Sequence, residues 1–180
     1  MTNENLKLFI EAAALGVAVI GAIVALVQWR RDQSWKRAQK LDSLYKEFDE
    51  NKLIQVACRV LDWSRGRFKL SDGEEFAFST EDVAKSFIIH DGVQDLTFTP
   101  TQAKMRDAYD ALLSFFERLE SAISTGLVDE FYAMCLFGYW VNHFDRMPEH
   151  PNCAGLAVRY IGRYGSITTF DSLLSRLHRE

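Results

Sequence analysis

The sequence predicts an all-α protein in which one N-terminal transmembrane helix continues into a cytoplasmic helical bundle of six to seven helices. Three observations lead to this fold class. A run of 20 mainly apolar residues lies near the N-terminus, the 180 residues include only three prolines and ten glycines, and apolar residues recur at helical spacing along the remainder. A composition of 48% hydrophobic and 26% charged residues is that of a globular protein and excludes disordered and collagen-like classes.

Residues 8–28 form the predicted transmembrane helix. The run from Leu8 to Val27 carries one charge, Glu11, and at about 1.5 Å per residue it is about 30 Å long, which matches the hydrocarbon core of a bilayer. A buried helix of a soluble protein and a cleaved signal peptide are the alternatives. A signal peptide needs a basic start and a shorter apolar core, whereas this segment starts with the barely basic MTNENLK and runs directly into Trp29 and two arginines. We therefore expect a retained span.

Basic residues follow the span closely and set its predicted orientation. The positive-inside rule places the flank that is richer in lysine and arginine in the cytoplasm, and a single lysine, Lys7, precedes the span. We expect residues 1–7 to lie outside and the C-terminal side to lie in the cytoplasm of a bacterial inner membrane. The charges of this basic neck, residues 29–40, could also attract anionic lipid head groups, although the interpretation we favour is that they set the topology and nothing more. They belong to Arg30, Arg31, Lys36, Arg37 and Lys40.

The charge of the remaining chain has the opposite sign. Residues 1–40 contain six basic and three acidic residues, a net charge of +3, and since the whole chain carries −4, residues 41–180 carry −7. The sequence therefore predicts an acidic all-α cytoplasmic domain over residues 41–180. An acidic domain repels phosphate groups, so we expect no nucleic acid among its partners.

One face of the predicted span carries small residues. Small side chains allow helix backbones to approach closely in lipid, where association depends on packing, and we therefore expect a homo-oligomer. The alternative is that alanine and glycine, common in membrane helices, share this face by chance. Glu11 lies in the same sector and either hydrogen-bonds across the contact or reaches the nearby interface. The predicted packing residues are Glu11, Ala14, Ala18, Gly21, Ala22 and Ala25.

Apolar spacing and capping residues place the first helices of the domain. No glycine or proline occurs between Trp29 and Asp49, so the span is expected to continue as one amphipathic helix. Asn51 is the predicted N-cap of a second helix that reaches Trp63, and residues 66–79 form a loop or small hairpin. The apolar positions of these two helices are Trp35, Ala38, Leu41, Leu44, Tyr45 and Phe48, followed by Leu53, Val56, Ala57, Val60 and Leu61.

Local signals also mark the starts of the next two helices. Ser79 or Thr80 starts a short helix that carries Val83, Phe87 and Ile88. A long helix begins at the Thr99-Pro100 pair, because proline is tolerated in the first turn, and it ends at Ser124 before a C-cap glycine, Gly126. The predicted inner face of this long helix consists of Met105, Tyr109, Leu112, Leu113, Phe116, Leu119 and Ile123.

Three further helices complete the predicted domain. Asp129 precedes the first of them. The second lies near residues 153–164, after Pro148 and Pro151, and the third begins at Thr168 or Thr169. The apolar residues of the first are Phe131, Leu136, Phe137, Tyr139, Trp140, Val141 and Phe144, and those of the third are Phe170, Leu173, Leu174 and Leu177.

Two stretches of the chain resemble a known family. The motifs FFERL and TGLVDEF, followed by a helix with YW, within residues 112–144, and YKEFDENKLIQVACRVLDW at residues 45–63 are similar to the bacterial DUF4760 family. These are small proteins with one N-terminal membrane helix and a helical cytoplasmic domain, and the resemblance covers most of the chain. It implies this architecture but no activity and no functional residues. Some single-span proteins of this build act as membrane effectors in phage defence.

The titratable residues do not form a standard catalytic or metal-binding pattern. His143 with Asp145 and His150 is the best metal candidate, but the spacing matches no common ligand motif. The other histidines are His90, in a predicted turn, and His178. Paired carboxylates could hold a divalent metal, although a solvated acidic rim is the interpretation we favour for them. These pairs are Glu117 with Glu120 and Asp129 with Glu130.

No nucleophile or phosphate-binding motif is present either. The three cysteines, at 58, 135 and 153, include no CxxC pair, which indicates a reducing compartment, and we expect Cys58 and Cys135 to be inert filling on apolar faces. The pairs Phe115-Phe116 and Tyr139-Trp140 are interpreted as core, although a ligand pocket would leave the same pattern. We therefore predict no catalytic residue, no metal and no cofactor.

Together these features predict a single-pass inner-membrane protein that acts by protein interaction or self-association and not by catalysis. Its expected partners are the lipid bilayer, further copies of the same chain and another protein bound through the cytoplasmic domain. One alternative is a membrane-disrupting effector of a bacterial phage-defence system. A second is an enzyme whose site the sequence does not reveal.

Overall fold

Seven helices and one two-stranded hairpin make up the described part of the protein, which confirms the all-α class. The structure, a computed structural model, describes residues 3–63, 65–70, 73–89, 97–146, 156–165 and 167–177. Two compact units divide the chain, Met1–Gln39 and Lys40–Glu180, and we call the second the helical domain. The helices are α1 (Asn3–Glu50), α2 (Lys52–Asp62), α3 (Thr80–Ser86), α4 (Pro100–Ser124), α5 (Glu130–Asp145), α6 (Leu156–Tyr164) and α7 (Ile167–Leu177).

Helix α1 joins the predicted span and the predicted amphipathic segment in one uninterrupted element. Its 48 residues correspond to a length of about 72 Å at 1.5 Å per residue. Within the described residues it is the one helix that is long and apolar enough to cross a membrane, and none of its most apolar stretch is buried. The large apolar side chains of this stretch are exposed, for example Leu15 at 68% and Ile20 at 65%. A core helix of a soluble protein would cover such residues.

The inner face of α1 begins later than its apolar spacing indicates. Leu44 is buried and Leu41 and Phe48 are half-buried against the core of the helical domain, whereas Trp35 is 66% exposed. Helix α2 then starts at its predicted cap, since the Asn51 Oδ1 accepts from the backbone N–H of Leu53 at 3.0 Å. It ends one residue earlier than predicted, at Asp62.

The stretch predicted as a loop or hairpin contains an antiparallel pair, β1 (Gly66–Lys69) and β2 (Glu75–Phe78). Phe68 lies opposite Phe76 in the register, and their rings are 5.3 Å apart. Because successive strand residues point to opposite faces, these rings and that of Phe78 are buried while the residues between them face outward.

Two reciprocal caps fix the starts of α3 and α4. Ser79 and Asp82 form a capping box on α3, and Thr99 and Gln102 form another on α4 with Pro100 in the first turn. The Gln102 side chain also donates to the Asp82 carboxylate at 2.9 Å, so one hydrogen bond joins the two helix starts. Gly126, at φ +69°, ends α4 in the left-handed conformation that favours glycine.

Helix α4 is central, and its predicted inner face is confirmed at every position. All seven of its predicted core residues are at most 7% exposed, and Phe115 is buried beside Phe116 as predicted. On its N-terminal half, the Arg106 guanidinium donates to the carbonyl oxygens of Ser86 and Ile88 at 2.7 and 2.6 Å and lies 5.0 Å from the Tyr160 ring centre. Arg106 therefore holds the end of α3 and helix α6 against α4.

Helix α5 starts after Asp129 as predicted, but the interpretation of Tyr139 as a core residue is wrong. Phe137, Val141 and Phe144 are fully buried, and Trp140 is half-buried. Phe131, Leu136 and Tyr139 are instead 70%, 42% and 56% exposed. The helix packs on α2, α4 and α7 with one side only, and its apolar residues occur on both sides.

The last two helices agree with the prediction within a few residues. Helix α6 ends at Tyr164 as expected, while residues 153–155, with Pro148 and Pro151, lie outside the described part of the chain. Helix α7 starts at Ile167, slightly before Thr168, and buries Phe170 and Leu173. Its Leu177 Cδ1 would lie 2.7 Å from a Cβ placed at Gly138, so a larger residue at this position of α5 would require the Leu177 side chain to shift.

Candidate functional site

The small residues predicted to pack in the membrane lie together on α1 with open side chains. Ala14, Ala18, Gly21, Ala22 and Ala25 are all exposed, and a Cβ placed at Gly21 would meet nothing within 4 Å. A second helix could therefore approach this face closely. The side chain of Glu11 lies outside the described part, so its role on this face stays a prediction.

The basic neck is also exposed to solvent. Arg30, Arg31, Lys36, Arg37 and Lys40 all have open side chains on α1, as do the flanking Trp29 and Trp35 at 57% and 66%. A cluster of five cations beside two exposed tryptophans has the composition that favours an anionic lipid interface.

A second exposed apolar surface lies on the helical domain. We call it the α5 face. Helical spacing places the members that belong to α5 on one side of the helix, opposite the buried Ala133, Phe137 and Val141, and Leu127 precedes the helix. The rings of the two most exposed members are in contact, with centres 5.5 Å apart. The α5 face consists of the exposed residues Leu127, Phe131, Tyr132, Cys135, Leu136 and Tyr139.

Hydrogen bonds hold the C-terminal end of the α5 face in place. Tyr139 Oη donates to Asp62 Oδ1 at 2.7 Å, and this bond raises the pKa of the tyrosine. His143 stacks on the Tyr139 ring at 5.1 Å, and its Nε2 lies 3.1 Å from the Leu61 carbonyl oxygen. Side chains of α5 are thereby fixed to the end of α2.

The predicted metal candidates are described only in part. His143 contacts a backbone carbonyl, Asp145 is exposed at the end of α5, and His150 lies outside the described residues, as do His90 and His178. Within the described part of the chain, no group of three or more histidine, cysteine, aspartate or glutamate side chains could hold a metal ion.

The acidic rim was a wrong interpretation for Glu120. This residue is 7% exposed and accepts hydrogen bonds from Arg176 Nη2 at 2.7 Å and Nε at 2.9 Å, as well as from Ser124 and Ser172. Glu130 binds the same guanidinium at 2.6 Å. We call this cluster the Arg176 lock, because it fastens α7 to α4 and α5.

The electrostatics of the Arg176 lock favour the charged state of Glu120. Burial opposes ionisation, but the bonds from Arg176, Ser124 and Ser172 outweigh it and hold the pKa of Glu120 below its ordinary 4.5. A carboxylate of lowered pKa contributes stability that is present above pH 4.5 and is lost as the pH falls through its folded-state pKa. The other paired carboxylates lie elsewhere: Glu117 is exposed, and Asp129 caps α5.

The sequence left open a ligand pocket beside the aromatic pairs, and the structure has a cleft of about 310 Å³ beside Trp140. It is at the small end of the size range of ligand sites, and Phe48 and Trp140 form an aromatic wall with ring centres 6.2 Å apart. Its lining carries both charges, Asp49 and Arg59, so its composition alone does not select one class of ligand.

The two described cysteines differ from each other. Cys58, at the cleft, is buried, and burial raises the pKa of its thiol to about 12, so it stays protonated and inert as predicted. The same expectation is wrong for Cys135, which is exposed on the α5 face. Apolar neighbours in the sequence surround both residues, but only Cys58 faces the core.

Comparisons with known proteins found no match to this chain. Neither a family model, nor a curated protein, nor a solved structure matches the chain. The resemblance to the DUF4760 family therefore stays a prediction.

Proposed function

We propose that this chain is a single-pass protein of the bacterial inner membrane that acts by protein interaction and self-association. The observation that carries the proposal is the uncovered apolar stretch of α1, which continues without a break into the helix that reaches the core at Leu44. An open apolar helix of this length needs a bilayer or a partner to cover it.

The basic neck supports an orientation in which the helical domain is cytoplasmic. Five cations lie within about 15 residues of the apolar stretch, the distance over which the positive-inside rule operates. Each of them is worth on the order of 1 kcal/mol next to an anionic membrane surface. The helical domain would then be held close to the bilayer while its net negative charge keeps its own surface in solution.

Two surfaces support binding as the activity. The small face of α1 and the α5 face are both open, and both have compositions typical of contact surfaces. Three of the described side chains that suggested chemistry take part in structural contacts. Glu120 bonds to Arg176, Asp129 caps a helix, and His143 contacts the end of α2.

A topology experiment tests the proposal. Alkaline phosphatase and a fluorescent reporter are fused in parallel after Glu180, and we expect fluorescence without phosphatase activity, with the chain in the membrane fraction after alkaline extraction. Replacement of Arg30, Arg31, Lys36 and Arg37 by glutamine should reduce this orientation, because few positive charges remain beside the span. The matched control replaces four basic residues far from the apolar stretch, Arg65, Arg67, Lys69 and Lys85. Periplasmic phosphatase activity of the unmodified chain would contradict the model.

A leakage assay separates binding from membrane disruption. The full chain is reconstituted in dye-loaded vesicles of phosphatidylethanolamine and phosphatidylglycerol, and we expect dye release no greater than from empty vesicles. Release that grows with the amount of protein would favour the effector of phage defence.

A further inference from the structure

The cleft beside Trp140 lies where the end of α1 meets helices α2 and α5. Its volume of about 310 Å³ is sufficient for a small molecule. Phe48 and Trp140 form one wall, and both side chains are half-buried, so part of each ring is open to a ligand. The residues that line the cleft are Phe48, Asp49, Gln55, Cys58, Arg59 and Trp140.

The aromatic wall of the cleft is held in place by neighbouring rings. The ring centre of Phe48 lies 5.0 Å from that of Phe115 and 5.3 Å from that of Phe137. The Tyr139 ring packs edge-on against Trp140, with centres 4.8 Å apart. A wall fixed in this way needs little ordering when a ligand binds. Because the faces of aromatic rings are electron-rich, such a wall attracts cations.

The two charges of the lining differ in where they lie. The Arg59 guanidinium lies 4.9 Å from the ring centre of Phe68, a residue of β1 that does not line the cleft. The charge of Arg59 is therefore already engaged with the hairpin. Asp49 is exposed in the last turn of α1, and no ion pair within the described part of the chain includes its carboxylate. Asp49 is thus the charge that is available to a ligand.

The other polar groups at the cleft also favour a cation. Gln55 Nε2 donates to the backbone carbonyl oxygen of Asp49, which leaves the Gln55 Oε1 as an acceptor. Burial, and then the charge of Asp62, raise the pKa of the Cys58 thiol to about 12, so a second carboxylate acts on the lining. The net negative charge of residues 41–180 attracts cations over a longer range.

We propose that this cleft binds a small organic amine with an apolar body, whose ammonium group meets the Asp49 carboxylate and the open faces of Phe48 and Trp140. A protonated amine carries the N–H donors that a carboxylate and an amide oxygen accept. An anion would be repelled by Asp49, and a neutral apolar molecule would cover that carboxylate without pairing it. The cleft belongs entirely to the helical domain, so the proposal does not depend on the membrane topology.

Three probes of similar size and different charge test the proposal. Phenethylamine, phenethyl alcohol and phenylpropionate are titrated in turn, by calorimetry at neutral pH, into the full chain in an uncharged detergent. We expect phenethylamine to bind, and the alcohol and the anion to bind at least about tenfold more weakly. Because the three probes share the phenyl ring, the difference reports the ammonium group.

Matched variants locate the bound amine. Asp49→Asn keeps the size of the side chain and should weaken phenethylamine binding about tenfold. Asp171→Asn makes the same change at an exposed position on α7 and should have no effect. Trp140→Leu keeps an apolar side chain but removes the aromatic face and should weaken binding severalfold, whereas Arg59→Gln should leave it unchanged. Circular dichroism of each variant confirms that the helices are intact.

Four results would overturn the proposal. A folded chain that does not bind phenethylamine would refute it directly. Equal binding of the three probes would show an apolar surface without selection for charge. Equal effects of Asp49→Asn and Asp171→Asn would show attraction to the acidic domain as a whole. A preference for phenylpropionate, or a loss of amine binding with Arg59→Gln, would show that Arg59 and not Asp49 determines the ligand.

Discussion

Arg176 connects three helices through one guanidinium. The side chains of Arg176, Glu120 and Glu130 are 14%, 10% and 40% exposed. The two carboxylates therefore differ in how much they contact solvent. Sequence spacing placed Glu120 on a helix face with Glu117, but a partner 56 positions further along the chain cannot be found from spacing. The signal available in the sequence was a glutamate near Ser121 and Ser124, and it is a weak one.

We predict that Arg176→Leu destabilises the helical domain by about 3–5 kcal/mol, because Glu120 would remain buried as an uncompensated charge. Glu130→Gln should cost less than about 1 kcal/mol, since that carboxylate is partly solvated. Chemical unfolding of the full chain in mild detergent, followed by circular dichroism, measures both. The double variant Arg176→Leu with Glu120→Leu should recover much of the loss. Equal effects of Arg176→Leu and Glu130→Gln would show that the Arg176 lock is not desolvated.

Neighbouring aromatic residues on α5 differ in burial, and the sequence does not show this difference. Phe137 is fully buried and packs on Phe48 and Phe115 at 5.3 and 5.0 Å, while Trp140 is half-buried at the edge of the cleft. We predict that Phe137→Ala costs about 3–5 kcal/mol, the range for a buried aromatic residue, and that Trp140→Ala costs clearly less. The same unfolding experiment compares them. A larger loss for Trp140→Ala would place its ring in the core, as the sequence predicted.

At the scale of the element, helix ends were predictable and helix faces were only partly so. Asn51, Thr99, Gly126 and Asp129 act within three or four residues of themselves, so local sequence contains the whole signal. The inner face of α4 was also predictable, because its apolar residues follow one helical stripe. Helix α5 has apolar residues all around, and only the packing of α2, α4 and α7 decides which of them are covered. The α5 face could therefore not be predicted from periodicity.

The small face of α1 provides a test at the same scale. In lipid, apolar burial gives no preference between a helix and an acyl chain, so close packing has to supply the attraction. We predict that Ala18→Ile or Ala22→Ile disrupts association of the span, because a larger side chain separates the helices and loses dispersion contacts. Ile20→Ala, on the other side, should be nearly silent, and Glu11→Gln should be intermediate. A two-hybrid assay on the isolated span measures all four. Equal behaviour of Ala18→Ile and Ile20→Ala would mean that the small residues share a face by chance.

For the whole molecule, the division of the chain has a direct consequence for folding. Within the described residues, every buried apolar residue belongs to the part from Leu44 to Leu173. Residues 14–39 contribute none of them, and they contain most of the apolar stretch that is long enough to cross a membrane. The position of this core was predictable because charge and apolar spacing change together after the neck. The α5 face was not predictable, because the exposure of its residues depends on contacts between helices that are distant in the sequence.

We predict that residues 40–180 alone are soluble, monomeric or dimeric, and strongly helical, because the cut removes no side chain that the structure describes as buried. A shorter fragment that begins at Asn51 is the matched control. It loses Leu44 and also Phe48, whose ring packs 5.0 Å from Phe115 and 5.3 Å from Phe137, so it should be less stable by several kcal/mol or fail to fold. Circular dichroism and thermal unfolding of both fragments provide the comparison. If both fragments are equally stable, the last turns of α1 are only a connection. If the longer fragment aggregates while the full chain stays folded in membranes, the helical domain depends on residues 1–39, and the two units act as one folding unit.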